Sequence, residues 1–277
     1  MWAAYRSVWC DWESWLVSCG VGNVGDDYVG ALLLWLRRGA DEGWSASKVE
    51  RVRSALAFGF QLRGLRDLTK LFVVRQAVKS FRRKAGKGDL RRPISFSLLE
   101  RVGVKLSEIC TSDFEVALFR LAFSLAFFGA LRVSEIVSPN TYAQGGLLAR
   151  DVVLTESGLQ FWLRKSKTDQ EGRGKRVVLG TVVGSLMCPI SCWEAFSCFQ
   201  PSKDGPLLCH ENGSFLSKFQ FVAVLRRALG EMGLDASRFA SHSFRIGAAT
   251  EAALGGLAPE VVQRRWESGR YKSYVRP

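Results

Sequence analysis

Histidine is scarce in this 277-residue chain, which has two, and acidic side chains are outnumbered, 26 Asp and Glu against 39 Lys and Arg. The seven cysteines are an odd number scattered from Cys10 to Cys209 with no close Cys-x-x-Cys pair, which excludes a disulfide framework and a zinc ribbon and implies an intracellular, reducing compartment. Their densest stretch, Cys188, Cys192, Cys198, Cys209 and His210, is irregularly spaced and reads as buried apolar thiols, so no metal is expected. Long apolar runs are missing too. Leu121 to Leu131 is bounded by Arg120 and Arg132 and is shorter than the roughly 20 residues a bilayer requires, so it reads as a buried helix. Met1 to Gly20 carries Asp11 and Glu13 among its tryptophans and lacks a basic head before an apolar run, so it is not read as a secretory signal. No internal repeat, low-complexity tract or Walker-type glycine loop occurs, which leaves no expectation of a nucleotide cofactor.

What is present is positive charge on an ordinary globular composition. The formal net charge is +13, while apolar residues make up 47% and charged residues 23% of the chain. Lys and Arg are not buried cheaply, so the surface carries a positive field and a polyanionic partner fits it, nucleic acid foremost. A merely soluble basic protein is the alternative that charge alone leaves open.

Helical spacing dominates the first ninety residues. Trp2, Tyr5, Trp9 and Trp12 form one stripe, Ala31 to Leu36 a second apolar run, and Ser47-Lys48-Val49-Glu50 matches a capping box ahead of Val52 and Leu56. Arg75, Lys79, Arg82, Arg83, Lys84, Lys87, Arg91 and Arg92 then oppose the single acid Asp89. That density suits a hinge contacting phosphates, with a solvated linker as the alternative. Gly86, Gly88 and Pro93 break the pattern, which places a domain boundary near residue 90 and divides the chain into 1–90 and 91–277. Beyond it, Pro93 to Val102 and Asp113 to Leu131 read as helices. Val152 to Leu154, Leu159 to Leu163 and Arg176 to Leu179 read as strands of a small antiparallel sheet. Helical segments follow near 189–199, 214–232, 243–254, 259–266 and 268–275. The predicted class is mainly α with a small antiparallel β-sheet.

The residues suited to chemistry form an ordered set. Gly129-Ala130-Leu131-Arg132-Val133-Ser134-Glu135 puts an arginine at the exit of an apolar helix, where a charge is expensive unless it faces a pocket or partner. Lys165-Ser166-Lys167-Thr168-Asp169-Gln170 caps a hairpin. Ser241-His242-Ser243-Phe244-Arg245-Ile246-Gly247-Ala248-Ala249-Thr250 sets a histidine three positions before an arginine, on one face of a helix. Arg265-Trp266-Glu267-Ser268 leads to Tyr271-Lys272-Ser273-Tyr274-Val275-Arg276. No carboxylate cluster for two magnesium ions is evident, which argues against a metal-dependent nuclease or polymerase.

With these motifs the chain resembles the tyrosine recombinase family, specifically the recombinases of DIRS-like and Crypton-type eukaryotic mobile elements, over nearly its whole length. The resemblance implies a helical core-binding domain over 1–90 and an α+β catalytic domain over 91–277, acting on double-stranded DNA. It implies that Arg132 and Arg245 grip the scissile phosphate and that His242 hydrogen-bonds it and helps transfer protons. Lys167 would protonate the departing 5′ oxygen, Trp266 would pack against the site and offer its indole N–H, Glu135 would orient its neighbours, and Tyr274 would attack. Tyr271 and Lys165 are rivals for the last tyrosine and lysine roles; the family's spacing favours Tyr274, and the Lys-Thr pairing favours Lys167. Independent chemistry agrees: attack on a phosphodiester builds charge on equatorial oxygens that planar guanidinium groups meet two at a time, and a phenol of pKa near 10 needs a base and cations beside it. No metal or other cofactor is then required.

The resemblance further implies four protomers on two DNA sites, no membrane, and nuclear residence for a eukaryotic element or otherwise residence with DNA inside the cell. Arg264-Arg265-Trp266 departs from the Gly-Arg-Trp of mobile-element relatives. Many relatives carry a docking helix after the nucleophile, whereas three residues follow Tyr274 here. Two other readings remain open at this point: a type IB topoisomerase-like nicking and closing enzyme, and a domesticated DNA-binding protein without catalysis.

Overall fold

The computed structural model describes residues 2–22, 27–84, 91–140, 145–164, 173–201, 204–258, 260 and 275, with the side chains of 2–4, 82 and 84 excepted. The chain forms two compact units, Met1–Asp89 and Leu90–Pro277.

The first unit holds four helices: α1 (Trp2–Ser18), α2 (Tyr28–Asp41), α3 (Ala46–Leu62) and α4 (Phe72–Lys84). The aromatic stripe is core. Trp9 and Trp12 are buried, Trp12 lies 5.5 Å from Trp35 centroid to centroid, and Trp9 meets Phe60 edge-on at 5.5 Å. Each such side chain removed from water contributes about 1.5–3 kcal/mol. The cap of α3 is not Ser47, as its capping-box pattern suggested, but Ser45, whose side chain accepts the Lys48 N–H. Ser47 lies inside the helix and is exposed. Glu50 pairs with Arg53 at 3.0 Å. In α4, Val74, Val78 and Phe81 are buried at helical spacing while Arg75, Lys79 and Arg83 are exposed, so these three cations occupy the solvent face.

The second unit contains α5 (Phe96–Ile109), α6 (Asp113–Phe128), the single turn α7 (Val133–Ile136), β1 (Val152–Thr155), β2 (Gly158–Leu163), β3 (Lys175–Leu179), α8 (Pro189–Ser197), α9 (Lys218–Glu231) and α10 (Ser241–Leu254). The three strands are antiparallel in the order β1-β2-β3, with Val152 opposite Phe161 and Leu159 opposite Leu179. Along β2, Leu159, Phe161 and Leu163 are buried and Trp162 is exposed, the two-residue alternation of a half-buried strand. The expected class, mainly helical with a small antiparallel sheet, is met.

α6 is the central element of this unit, with eleven of its sixteen residues buried. Phe123 on α6 packs against Phe221 of α9 at 4.9 Å and Phe244 of α10 at 5.3 Å, and Phe221 meets Phe244 at 5.3 Å. This phenylalanine trio ties three helices together.

Several boundaries differ from the sequence reading, such as α5 running on to Ile109 rather than ending at Val102, and three of them for identifiable reasons. α5 starts at Phe96 rather than Pro93, because Ser95 caps it through the Leu98 N–H and the Ile94 N–H bonds outside the helix, to Ser243 O at 3.0 Å. α9 starts at Lys218 rather than near 214. Phe215 bridges Cys209, Ser217 bridges Ser138, and a Ser217–Gln220 capping box then opens the helix. α6 ends at Phe128 rather than Leu131, for a reason that shapes the site. The segments expected at 259–266 and 268–275 lie outside the described residues except Glu260 and Val275. No helix among the described residues is long and apolar enough to cross a membrane.

Candidate functional site

Arg132 is delivered by the way α6 stops. After Gly129, Ala130 adopts the left-handed conformation at φ 47°. The Ala130 N–H bonds Phe127 O at 2.9 Å, and the Leu131 N–H bonds Ala126 O at 3.1 Å. These are the two reversed hydrogen bonds of a Schellman cap, made here with an alanine where glycine is usual, at a cost of about 1–2 kcal/mol. Leu131 then folds back into the core and Arg132 becomes the N-cap of α7. Glu135, one turn on, accepts the Arg132 backbone N–H at 2.8 Å and the Arg132 Nη1–H at 2.7 Å. The Glu135 side chain is 7% exposed and that of Arg132 is 19% exposed, so the carboxylate holds the guanidinium in a sheltered place. A guanidinium carries five N–H donors, so this clamp leaves donors to offer another oxygen acceptor.

His242 and Arg245 lie one turn apart on α10, whose Phe244 and Ile246 are fully buried. Arg245 is 2% exposed, an unusual depth for a charge that does not titrate away. His242 is half-buried. Opposite that pair, α10 is fixed to the extended run leading into α5. Arg92 N donates to Arg238 O at 2.8 Å just before the helix, Ile94 N donates to Ser243 O at 3.0 Å, and Phe96 N donates to a Glu251 carboxylate oxygen at 2.8 Å. Gly247 permits the approach, because a Cβ there would stand 1.7 Å from Ile94 O.

The structure thus joins Arg132 to Glu135 directly, sets His242 and Arg245 on one helix, and places both groups in one unit around a shared aromatic core. Lys167 and its rival Lys165 lie in 165–172, between β2 and β3, outside the described residues. Trp266, Tyr274 and the rival Tyr271 also lie outside them. Of the basic run, Arg75, Lys79 and Arg83 are exposed on α4, Arg91 is half-buried and Arg92 exposed ahead of α5. Arg82 and Lys84 belong to α4 without described side chains, and Lys87 is outside the described residues.

Two basic residues escaped the sequence reading. Arg53 of α3 and Lys70, just before α4, join Arg75 and Lys79 along a cleft of about 510 Å³ in the first unit. They lie outside the basic run in the sequence, and the packing of α3 beside α4 is what brings Arg53 to it. Among the described residues, no group of three His, Cys, Asp and Glu side chains is placed to hold a metal ion, and all seven cysteines are free thiols.

The chain matches no protein-family profile. It is 24% identical over 272 residues, 95% of its own length and 76% of the relative's, to an integrase/recombinase XerD homologue of Selenomonas ruminantium. Its fold is similar to that of the XerH site-specific recombinase bound to a palindromic difH substrate, with a TM-score of 0.64 at 17% identity over 91% of this chain and 69% of that one. It is similar as well to the Tn1549 transposon integrase in complex with transposon right-end DNA, with a TM-score of 0.64 at 11% identity over 92% and 82%. A lambda integrase tetramer bound to a Holliday junction aligns with a TM-score of 0.57 at 16% identity over 96% and 71%. These relatives do not support a particular closeness to DIRS-like or Crypton-type elements. The likeness in sequence and in fold is thus to integrases and site-specific recombinases, over nearly the whole of this chain.

Proposed function

We propose that this protein is a site-specific DNA recombinase or integrase that cleaves and rejoins duplex DNA through a 3′-phosphotyrosyl intermediate. The observation that carries the reading is the treatment of two arginines: Arg132 held by Glu135 at the end of the central helix, and Arg245 buried one turn after His242 on a helix of the same core. Guanidinium groups held in this way suit the developing negative charge of a phosphoryl transition state.

In this mechanism the Tyr274 phenolic oxygen attacks phosphorus in line while Arg132 and Arg245 bind the non-bridging oxygens. His242 hydrogen-bonds the phosphate and assists proton transfer, and Trp266 lends its indole N–H. The P–O5′ bond breaks, and the departing 5′ oxygen takes its proton from Lys167. The phosphotyrosine retains the ester's free energy, so a free 5′-hydroxyl of another strand reverses the step without ATP. Arg75, Lys79, Arg82, Arg83, Lys84, Lys87, Arg91 and Arg92 contact the DNA backbone, each neutralised phosphate steepening the salt dependence of binding. Four protomers would assemble on two DNA sites, as the tetrameric lambda integrase neighbour does on a Holliday junction. The reaction serves integration or excision of a mobile element. Residence in the nucleus follows for a DIRS-like or Crypton-type element, a branch assignment resting on the motif residues from Ala130 to Glu135 and from His242 to Thr250.

The test is a nicked duplex carrying candidate element termini, from which cleavage releases a short strand that diffuses away. With chelator present, the protein should form an adduct that survives denaturation and migrates as a protein–DNA species. Duplex binding without an adduct on any terminus contradicts catalysis and leaves a DNA-binding protein. Relaxation of supercoils without joined products replaces recombination with a topoisomerase-like activity.

A further inference from the structure

We propose that Glu251 is a positioning residue for the His242–Arg245 pair, an inference that rests on the recombinase reading for its catalytic consequence. Ser243, Gly247 and Glu251 are spaced by four along α10 and therefore form one stripe, drifting by about 40° per step at about 100° per residue. All three meet the same extended run. Ser243 O receives the Ile94 N–H, Gly247 lies against Ile94 O, and the Glu251 carboxylate receives the Phe96 N–H. His242 and Arg245 fall on the other side of the helix by the same spacing.

Three attachments over two turns fix the rotation of α10 about its axis, and Glu251 is the attachment farthest from the helix start. Its partner is a donor that demands an acceptor. Phe96 is the first residue of α5, and its N–H is one of the four that an α-helix leaves unsatisfied. Ser95 serves the Leu98 N–H, and Glu251 takes the Phe96 N–H from a different helix. A carboxylate at this end also meets the positive pole of α5.

The leverage is large. Side chains lie about 6 Å from a helix axis, so a 20° rotation of α10 carries the Arg245 head by about 2 Å. Misplacement by about 1 Å can cost a hundredfold in rate. The run that Glu251 anchors begins at Arg91 and Arg92, the last cations of the proposed backbone-contacting stretch. Contacts to DNA there are therefore transmitted to the helix that presents His242 and Arg245.

Glu251→Ala and Glu251→Gln in the full chain separate positioning from folding. Gln keeps an acceptor for Phe96 and Ala does not. With Glu251→Ala, duplex affinity should stay within about twofold while single-turnover adduct formation falls by about ten- to a hundredfold. Glu251→Gln should restore the rate to within about threefold. Amide hydrogen exchange over 241–247 should speed up in Glu251→Ala and not in Glu251→Gln, with or without DNA. Adduct formation at the wild-type rate in Glu251→Ala, or unchanged exchange over 241–247, overturns the proposal. If the wild-type chain itself forms no adduct, the recombinase reading fails, and the exchange comparison still decides whether Glu251 holds α10.

Discussion

Replacing Gly247 by alanine should destabilise the second unit despite the usual gain from adding a methyl group to a helix. The new Cβ would stand 1.7 Å from Ile94 O, 2.7 Å from Ile94 C and 3.1 Å from Ile94 N, all backbone atoms without a flexible end to swing aside. The two segments must separate by more than 1 Å to reach ordinary contact, which breaks the Ile94 N–H bond to Ser243 O. Overpacking costs about 1–3 kcal/mol and an orphaned buried backbone group about 1–3 kcal/mol. Helix propensity returns about 1 kcal/mol. The net loss is about 1–5 kcal/mol, or a fall in Tm of roughly 2–20 °C for a unit of this size. Gly230 on α9 is the control, because a Cβ there meets nothing within 4 Å. Gly230→Ala should stabilise by about 0.5–1 kcal/mol. Scanning calorimetry of the two variants beside the wild-type chain checks both signs. A Gly247→Ala protein melting at or above the wild-type temperature would refute the close crossing of α10 over residue 94.

Other outcomes follow from the same geometry. Ala130→Gly should raise stability by about 0.5–1 kcal/mol in urea titrations, because it relieves the left-handed alanine at φ 47°; a loss there would contradict the cap. Glu135→Ala should lower stability by about 3 kcal/mol, because it leaves the sheltered Arg132 guanidinium without its carboxylate, and Glu135→Gln should cost less. Burial pushes the Cys192 thiol up to about 12, so the folded state keeps a proton that the unfolded chain releases near 9. Stability is therefore whole below pH 9 and declines as pH rises from 9 toward 12, and Cys192→Ala should flatten that decline in urea titrations across the range. Iodoacetamide should modify the exposed Cys10, Cys19 and Cys198 in the native protein and reach Cys192 only after unfolding, as peptide mass spectrometry would read.

Much of the architecture was legible because its signals are local. The Trp9 and Trp12 stripe, the two-residue alternation from Leu159 to Leu163 and the apolar length of α6 each follow from period and composition. The helix starts were less legible. Ser47 matches a capping box as well as Ser45 matches a cap, and the helix is capped at Ser45; Ile94 is drawn out of α5 by Ser243, a residue nearly 150 positions away. In the candidate site, Arg132, Glu135, His242 and Arg245 were visible as short-range motifs, and the Arg132–Glu135 clamp is the three-residue reach of one helical turn. Glu251 was not, because its role depends on Phe96, 155 residues upstream. Arg53 was missed for the same reason, since only the packing of α3 against α4 sets it beside Arg75 and Lys79. Cys188 shows the limit of composition: burial alone would raise its pKa, yet the N–H groups of Ser191 and Ile190 at the start of α8, and of Val182 in the loop before it, hold it below the usual thiol value.

In the proposed reaction a phenolic oxygen, that of Tyr274, becomes bonded to a DNA 3′-phosphate. Proteolysis of the trapped protein–DNA adduct followed by mass spectrometry of the DNA-linked peptide reads that bond directly. The linked residue should be Tyr274, with the adduct abolished in Tyr274→Phe and retained in Tyr271→Phe. An adduct that persists in Tyr274→Phe, or a linked peptide that excludes residue 274, would contradict this assignment.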